Sequence, residues 1–541
     1  MKRIFRVSAL PAYIIIALVC FPVLSAGEAA NYTSMVYPGV DGKLVYEPDE
    51  NGNTIPDYSY AGYMGGGVHL PHVPVRETVL PVNGDAAPLI QAAIDKVSEF
   101  PPDANGFRGA VLIKRGYYEL FSSLTVSAGG VVLRGEGCGD TGTILFGRTT
   151  PEMKAKKSAL NSSVLIKIEG GQGIEMMPET ARKINNEYVP AGARSFSVSS
   201  AKDFKAGDTV IVRGRINKKY LLELGIKNEE KYANGDKWAY EYDRVITAIN
   251  GNDIHVDAPL TCPIEAKWGG GEIVKYTDSR ISQVGVENLR GVSEYDQTVR
   301  SNQYGQMNRP NYTGEEYYAD ERHYGTLISI DNVKNAWIRD VSMRHFGKSL
   351  VSLGAGTKWI TVQDCESREP VSMANGGRRF IYSVSGQLCL VQRCTSDKGR
   401  HSFVLGGSMT TGPNVFLNCT ATRIYGSSEP HSTLVVGALY DNVKASIAFR
   451  YAESNPPRWL GIWDVLWNCE GLFLCQRPPI AQNYAFGQIG LQVDVFNAAF
   501  LDYSFENGHI ESWDEHVSPR SLYLKQLEDR LGHQAVKNIG N

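Results

Sequence analysis

The feature that most constrains the fold is a repeat of about 25 residues in the second half of the chain. Each unit carries a landmark: apolar or aromatic residues, then a polar Asp, Asn or Arg, then Val or Cys. The six landmarks are Ile338-Arg339-Asp340-Val341, Val362-Gln363-Asp364-Cys365, Val391-Gln392-Arg393-Cys394, Phe416-Leu417-Asn418-Cys419, Tyr440-Asp441-Asn442-Val443 and Leu466-Trp467-Asn468-Cys469. Their last residues lie 24, 29, 25, 24 and 26 residues apart. This regular spacing predicts a solenoid of stacked units.

The residue types within each unit distinguish between two solenoids that have this period. Leucine-rich repeats show a Leu-x-x-Leu-x-Leu frame, which these units lack. Instead, the residue after each landmark is polar and the next is mostly small, as in Thr395-Ser396 and Thr420-Ala421. This alternation is typical of a strand with one face outward and one face inward. The units therefore predict coils of a parallel β-helix.

Two columns of side chains follow from the stacking of these coils. The last landmark residue is expected to point inward, which gives the column Val341, Cys365, Cys394, Cys419, Val443 and Cys469. We expect the cysteines to pack in the core, with disulfides or metal binding as alternatives. The polar residue before each of them forms a second column, whose side chains we expect to satisfy backbone groups of the turns.

The N-terminus predicts export. Residues 1–30 combine a basic start, an apolar run over about 9–24 and small residues, which is the order of a secretory signal. We expect a secreted, periplasmic or cell-surface protein, with a membrane anchor or a lipoprotein signal at Cys20 as alternatives. No other segment approaches the ~20 apolar residues of a span, so no integral span is expected after signal removal. The net charge of −3 gives no indication of a nucleic-acid partner.

Other segments predict elements around the solenoid. Ile90, Ile94 and Val97 fit a short amphipathic helix that caps its N-terminal end. Segment 191–263 reads as a β-rich insertion, and leucines between Pro519 and Gly532 predict a C-terminal helix. The expected organisation is a signal at 1–30, an N-terminal segment with cap helix and first coils at 31–150, coils with the insertion at 151–280, the main β-helix at 281–500, and a C-terminal tail and helix at 501–541.

The first coils carry a resemblance to a known superfamily. They read Gly109-Ala110-Val111, then Gly116-Tyr117-Tyr118, then Val131-Val132-Leu133-Arg134-Gly135-Glu136-Gly137. With the cap helix and the repeat, this series resembles the pectate-lyase-like (pectin-lyase) superfamily of secreted bacterial proteins over residues 75–500. The resemblance implies an all-β, right-handed, single-stranded parallel β-helix that acts on a polysaccharide. Because the superfamily includes lyases, hydrolases, epimerases, transferases and adhesins, it does not fix the chemistry.

The resemblance also implies where a substrate groove lies, namely along the strand that begins each coil and the turn entering it. In this register that turn starts about four residues after each landmark. The residues that fall there are His345 and Lys348, then Asn375, Arg378 and Arg379, then Lys398, Arg400 and His401, and finally Glu429 and His431. We expect consecutive coils to bring these mostly cationic side chains together, which suits an acidic polysaccharide or oligosaccharide.

Cationic residues of this kind suit β-elimination of a uronate. The reaction requires neutralisation of the sugar carboxylate, a base for the C5 proton and an acid for the leaving group. Arg378 and Arg379 are candidates for binding the carboxylate. The predicted catalytic residues are Lys398 or His401 as base and Arg400, His401 or His431 as proton donor. The predicted substrate-binding residues are His345, Lys348, Asn375, Arg378, Arg379, Glu429 and Trp459.

Two other functions stay open at this point. A glycoside hydrolase would need two carboxylates about 5–9.5 Å apart, with candidates at Asp364, Glu366, Glu369, Asp397, Glu429 and Asp441. A non-catalytic glycan-binding or adhesin β-helix would use exposed aromatic rings, with candidates at Trp459, Trp463 and Tyr425. No metal site and no certain cofactor is predicted, although Ca²⁺ held by carboxylates of successive coils is an open alternative.

Overall fold

A computed structural model describes residues 31–226, 238–304, 313–452, 458–493 and 505–541 of the protein. The predicted signal at 1–30 lies outside these residues. Within the described part of the chain, no helix is long and apolar enough to cross a membrane.

Three parallel sheets, here called A, B and C, run the length of a β-helix. Sheet A consists of Val75–Val79, Gly109–Ile113, Val131–Arg134, the first halves of Ile281–Ser293 and Val333–Arg344, Lys358–Gln363, Leu390–Gln392, Thr411–Leu417, Val435–Asp441, Val465–Trp467, Tyr484–Phe486 and His509–Glu511. Sheet B consists of Gly116–Leu120, Thr143–Gly147, the second halves of the same two long strands, Glu366–Arg368, Thr395–Asp397 and Thr420–Thr422. Sheet C consists of Leu124–Val126, Val164–Glu169, Thr326–Asp331, Ser349–Leu353, Phe380–Val384, His401–Leu405 and Glu429–Pro430. The chain visits A, B and C in turn, so the predicted parallel β-helix is confirmed.

The polar landmark column makes the bend from sheet A to sheet B. All six residues adopt left-handed backbone conformations, with φ between 50° and 55°. Asn and Asp tolerate this conformation better than other non-glycine residues, which explains the residue type at most of these positions. These side chains were predicted to satisfy backbone groups of the turns, and two of them bind the C-terminal tail. Asn442 and Asn468 donate to the carbonyl of Arg520, so the column also holds the C-terminal tail.

The inner landmark column packs in the core, as predicted. All six members are buried in one hydrophobic cluster inside the three sheets. The eight cysteines of the described residues are free thiols, and four of them stack in this column. Their Sγ atoms lie within hydrogen-bond distance of nearby backbone carbonyls, as for Cys365 and the carbonyl of Gln363 at 3.1 Å. Core packing is therefore the role of these cysteines.

One predicted helix covers the N-terminal end of the core, and the other packs on the outer face of sheet A. The predicted cap helix spans Ala87–Glu99 and buries Ile90, Ile94 and Val97 against the core. The predicted C-terminal helix spans Leu522–Leu531 and is N-capped by Ser521. Shorter helices cover Pro151–Lys154, Lys218–Glu223 and His533–Asn538.

The outer face of sheet A is covered by the predicted insertion, which is antiparallel. Its strands are Ile174–Met176, Arg182–Lys183, Tyr188–Val189, Ser195–Ser197, Thr209–Arg215, Ala239–Asn250, Asp253–Val256, Ile264–Glu265 and Gly271–Asp278. It shares a second hydrophobic cluster with the outward side chains of sheet A, the N-terminal segment and the C-terminal helices. Short pairs also form between Val36–Pro38 and Leu44–Tyr46, between Arg300–Gln303 and Thr313–Tyr318, and between Tyr451–Ala452 and Arg458–Trp459.

A buried ionic network ties the insertion to sheet A. The carboxylate of Asp243 lies 2.8 Å from Nζ of Lys358 and 2.8 Å from Nη1 of Arg280, and Tyr276 donates to it. These partners hold the pKa of Asp243 below its usual value, although burial alone raises it. The neighbouring Arg244 is fully buried, and each of its three guanidinium nitrogens donates a hydrogen bond. Both residues serve the structure.

Candidate functional site

The predicted site residues of consecutive coils meet at the corner between sheets B and C. Lys398 immediately follows the sheet B strand Thr395–Asp397, and His401 begins the next strand of sheet C. The backbone carbonyl of Arg379 accepts hydrogen bonds from the N–H groups of Arg400 and His401 at 3.0 and 3.2 Å. The corner holds two groups of side chains, one on each side of this backbone contact.

The first group, here called the histidine cluster, consists of Arg400, His401, Glu429, His431 and Arg450. Glu429 is fully buried at its centre. Its Oε2 accepts from Nε of Arg450 at 2.9 Å, and its Oε1 accepts from Nη2 at 3.1 Å. Although burial raises the pKa of Glu429, Arg450 and the two imidazoles outweigh it and hold the pKa well below its usual range. Glu429 is therefore an ionised carboxylate.

This carboxylate orients the ring of His431. Nδ1 of His431 donates to Oε1 of Glu429 at 2.5 Å, so the lone pair of the neutral ring sits on Nε2. Burial lowers the pKa of His431 below its usual value, even though Glu429 raises it. The side chain keeps 21% of its surface exposed. Glu429 and His431 thus form a carboxylate–imidazole pair whose free nitrogen can accept a proton near neutral pH.

A second imidazole stacks on the first. The ring centroids of His401 and His431 lie 4.2 Å apart, and Nδ1 of His401 donates to the carbonyl of Ser427 at 2.5 Å. Burial lowers the pKa of His401 well below its usual value. Its Nε2 is buried without a hydrogen-bond partner. His401 is therefore neutral with an acceptor at Nε2, which does not suit the predicted role of proton donor.

A cation lies beside the two imidazoles. The ring of Phe380 contacts both His401 and His431 edge-on at 5.0 Å, and the guanidinium of Arg400 lies 5.9 Å from the same ring. Burial lowers the pKa of Arg400 to about 10, so it stays cationic at neutral pH. In this arrangement the neutral imidazole can accept a proton from a carbon next to an anionic group, and the cation can stabilise the charge on that group.

The second group lines a cavity of about 290 Å³, here called the tyrosine pocket. Its walls include Tyr295, Tyr317, Tyr318, His345, Arg379 and Lys398. The ring of Tyr295 contacts His345 edge-on at 4.9 Å. Two carboxylates also line the pocket, Glu316 and Glu369, with side chains 66% and 59% exposed. Three of the predicted residues, His345, Arg379 and Lys398, therefore belong to this pocket.

Arg379 is the most unusual side chain of the pocket, because it is only 1% exposed. Nη2 donates to the carbonyl of Ser372 at 2.6 Å and Nη1 to that of Lys398 at 3.3 Å. Nε is buried and has no hydrogen-bond partner. The guanidinium lies 5.0 Å from the ring of Tyr317 and 5.2 Å from that of Tyr425. Within the described residues no carboxylate forms an ion pair with it.

Three other predicted residues are bound to neighbouring side chains or buried. Arg378 pairs with Glu321 through two hydrogen bonds of 2.7 and 3.0 Å, so it does not present a free guanidinium to a ligand. Nζ of Lys348 donates to Asn161 at 3.0 Å. Asn375 is buried, with an Oδ1 that lacks a partner.

The expectation of an exposed Trp459 is wrong. Trp459 is fully buried and its indole N–H donates to the carbonyl of Leu224 at 2.9 Å, so it packs under the insertion. Trp463 is also buried, at 8% exposure. Tyr425, in contrast, stacks beside Tyr304 and Tyr317 at the corner.

One group of three residues has ligand atoms close enough for a metal ion. These atoms of His401, Glu429 and His431 lie within 4.8 Å of one another. Ca²⁺ prefers six to eight oxygen ligands, so this nitrogen-rich set does not fit it. Both oxygens of Glu429 are already bound by Arg450, and Oε2 also accepts from Ser427. The set fits an acid–base pair better than a metal centre.

The carboxylates weighed for hydrolysis are mostly engaged elsewhere. Within the described residues, Asp364 pairs with Arg393, Glu366 with Arg368, Asp397 with Arg423 and Glu429 with Arg450. Asp441 is buried below the C-terminal helix, where it accepts from the Ser521 hydroxyl and the Tyr523 N–H. Glu369 is mostly exposed and lies 3.4 Å from His345.

Comparison with known proteins gives distant structural matches only. No known protein family matches the sequence, and no curated protein matches it. A tailspike of the Acinetobacter baumannii bacteriophage AP22, solved with a capsular saccharide, is 11% identical with a TM-score of 0.37; the match covers 76% of this chain and 55% of the tailspike. This chain thus spans about half the length of that protein.

Two bacterial enzymes match at a similar level. The A-module of a mannuronan C-5 epimerase from Azotobacter vinelandii is 12% identical with a TM-score of 0.32, over 81% of this chain and 74% of the module. A PL6 family polysaccharide lyase from Pseudopedobacter saltans is 9% identical with a TM-score of 0.31, over 81% of this chain and 92% of the lyase. At these scores the matches carry no functional conclusion. The assignment of the fold depends on the strand pairing of the chain itself.

Sequence reasoning missed Arg450 and four tyrosines at the corner, namely Tyr295, Tyr304, Tyr317 and Tyr318. Arg450 directly follows Ile447–Phe449, the strand one coil beyond Glu429–Pro430. Extending the predicted cluster by one coil would have found it. The tyrosines lie in a long insertion without periodicity, so no sequence signal placed them at the corner.

Proposed function

We propose that the protein is a polysaccharide lyase that cleaves a uronate-containing glycan by β-elimination at the histidine cluster. The observation that carries this proposal is the pair formed by buried, ionised Glu429 and partly exposed His431. The pair leaves Nε2 of His431 free to accept a proton, with the cationic Arg400 nearby. Within the described residues, five of the six carboxylates weighed for a hydrolase pair are bound to cations or to the C-terminal helix, which leaves Glu369.

Each residue of the cluster has a role in the proposed reaction. Nε2 of His431 removes the proton from C5 of the uronate, and the electrons of the C5–H bond form the C4–C5 double bond. The C4–O bond then breaks, and the leaving oxygen takes the proton back from the imidazolium. Glu429 stabilises the imidazolium and fixes its orientation, as a buried carboxylate does in other carboxylate–histidine pairs.

The cation of the cluster acts on the sugar carboxylate. Charge builds up on this carboxylate when the C5 proton leaves, and a nearby guanidinium stabilises that charge. Arg400 is suited to this role, because its neighbour Arg450 is already bound to Glu429. The pocket beside it adds Lys398 and Arg379, which favour an anionic substrate.

Incubation with uronate polysaccharides tests the proposal. We expect the purified protein to generate an unsaturated product that absorbs at about 232 nm, since elimination leaves a conjugated double bond. The panel should include polymers of galacturonate, mannuronate, guluronate and glucuronate. New reducing ends without this absorbance would indicate a hydrolase. Retention of a glycan without either signal would indicate a binding protein.

We also propose that the protein acts outside the cytoplasm and belongs to the pectate-lyase-like superfamily. Support comes from the sequence of residues 1–30 and from the motifs of the first coils. Fractionation of the native host would test the location, and a majority in the cytosol would contradict it.

A further inference from the structure

The tyrosine pocket has a feature that the proposed reaction does not use. A buried guanidinium normally has all of its nitrogens bound, because an unpaired polar group in the interior is costly. Arg379 is 1% exposed, yet its Nε has no partner. Its two other nitrogens donate to the backbone carbonyls of Ser372, Lys398 and Tyr318, and the side chain of Tyr425 is a further hydrogen-bond partner of the guanidinium. Within the part of the chain that the structure describes, the surroundings of Arg379 therefore lack an anion.

The groups around Arg379 do not supply that anion. The groups that act on its charge are the hydroxyls of Tyr425, Tyr317 and Tyr304, and burial lowers its pKa. The two carboxylates of the pocket are mostly exposed: Glu316 lies 3.8 Å from the Arg300 guanidinium, and Glu369 lies 3.4 Å from His345, whose pKa is lowered by burial. Lys398, which lines the same pocket, adds a second cation.

The shape of the pocket suits one sugar ring. Its volume of about 290 Å³ is at the lower end of the range for small-ligand sites. Tyr295, Tyr317 and Tyr318 provide ring faces, which pack against the apolar faces of pyranoses. A ligand that combines a ring with one negative charge would match both the aromatic walls and the cations.

The pocket and the histidine cluster are neighbours along the same coil. Arg379 lines the pocket, while the next residue, Phe380, contacts His401 and His431. A glycan chain that crosses this corner could therefore place one unit at the histidines and another in the pocket.

We infer that the tyrosine pocket is a subsite for a uronic acid unit, whose carboxylate is recognised by Arg379 and Lys398. The inference rests on the proposed function, because that function makes the ligand part of an acidic glycan. The unit in the pocket is bound and not cleaved, so the pocket selects chains with acidic units next to the one that reacts.

Calorimetric titration with monosaccharides tests this inference. The probes are galacturonate, glucuronate and mannuronate, each compared with its neutral parent hexose. We expect at least one uronate to bind about tenfold more tightly than its parent, which is the usual effect of a charge-assisted hydrogen bond. Added salt should weaken this preference. Equal binding of acid and neutral sugar for all three pairs would overturn the inference.

Two variants assign the preference to the pocket. Arg379→Gln should remove most of the preference for the acid, and Lys398→Gln should reduce it several-fold. Circular dichroism and a thermal melt show whether each variant is folded. If Arg379→Gln does not fold, Lys398→Gln alone tests the inference. The Lys398 side chain is in a turn and only partly buried, so we expect this variant to fold. An unchanged preference in every folded variant would overturn the inference.

A third variant separates this inference from the proposed function. His431→Ala should stop elimination and leave uronate binding in the pocket intact. Uronate binding that depends on Arg379, in a protein that forms no unsaturated product, would support the subsite and contradict the lyase. Elimination whose KM is insensitive to both pocket variants would support the lyase and contradict the subsite.

Discussion

Two fully buried arginines, on opposite sides of the β-helix, show how differently the protein uses the same side chain. Arg244 lies between the insertion and sheet A, where its guanidinium donates to the carbonyls of Asp243, Ala258, Pro259 and Gly412. Arg379 lies at the corner of sheets B and C, where its Nε has no partner and its neighbours are aromatic. All guanidinium nitrogens of Arg244 are hydrogen-bonded within a structural interface, whereas Nε of Arg379 lacks a partner among the described residues and lies beside a cavity.

The same contrast applies to buried carboxylates. Asp464, at the sheet A side, is fully buried, and burial raises its pKa well above the usual value. Glu429, at the corner, is equally buried and yet ionised, because Arg450 and two imidazoles surround it. Ionising a buried group requires dedicated partners. Such partners are concentrated at the corner where we place the reaction.

The largest expected effect is on turnover in Glu429→Gln. An amide cannot hold His431 in the same tautomer or stabilise its imidazolium, so kcat should fall about a thousandfold or more. The matched control is Asp464→Asn, which replaces a buried acid on the sheet A side, outside the histidine cluster, and should leave kcat unchanged. Steady-state kinetics on the active substrate measures both. Equal losses in the two variants would remove the distinction between the corner and the sheet A side.

The second expected effect separates the two arginines by stability. Arg244→Met leaves four carbonyls without a donor and should lower the free energy of unfolding by about 3 kcal/mol or more. Arg379→Met leaves fewer carbonyls without a close donor and should cost about 1 kcal/mol. Denaturant unfolding measures both values. A larger loss for Arg379→Met would indicate that Arg379 serves the structure.

The third expected effect is the dependence of kcat/KM on pH. A base must be neutral to act, and the pKa of His431 is lowered below its usual 6.5. The rate should therefore be constant around neutral pH and fall about tenfold per unit below that pKa. A profile that declines already between pH 8 and 7 would contradict a His431 with a lowered pKa.

The smallest expected effect concerns the landmark column at the other corner, between sheets A and B. Asn418 has φ of 54°, and its side-chain amide donates to Oδ1 of Asn541. Asn418→Ala should cost about 1 kcal/mol of stability, because alanine disfavours the left-handed conformation, and Asn418→Gly should cost less. Activity should be unchanged in both. A loss of activity in a stable variant would mean that this corner also contributes to function.

Periodicity explains why much of this architecture could be predicted. Stacking coils place residues about 25 positions apart on top of one another, so both the cysteine column and the approach of His401 to His431 follow from spacing. Residues in the long insertions have no such constraint. The sequence predicted that Arg378 binds the substrate carboxylate, but Glu321, which precedes the strand Thr326–Asp331, pairs with it.

The burial of single residues outside the repeat could not be predicted from the sequence either. Trp459 lies near a turn, where an exposed ring was as plausible as a buried one. Its burial depends on Leu224 of the insertion, which is 235 positions away. The partner of Glu429 could have been predicted, since Arg450 occupies the coil that follows it.

Product masses test the central claim most directly. A purified uronate oligosaccharide that is active in the absorbance assay is digested with wild-type protein and with His431→Ala, and the products are weighed by mass spectrometry. Elimination predicts two products whose masses sum to that of the substrate, formed by the wild type and absent with His431→Ala. Products whose masses sum to the substrate plus one water, or equal cleavage by the variant, would contradict a lyase with His431 as its base.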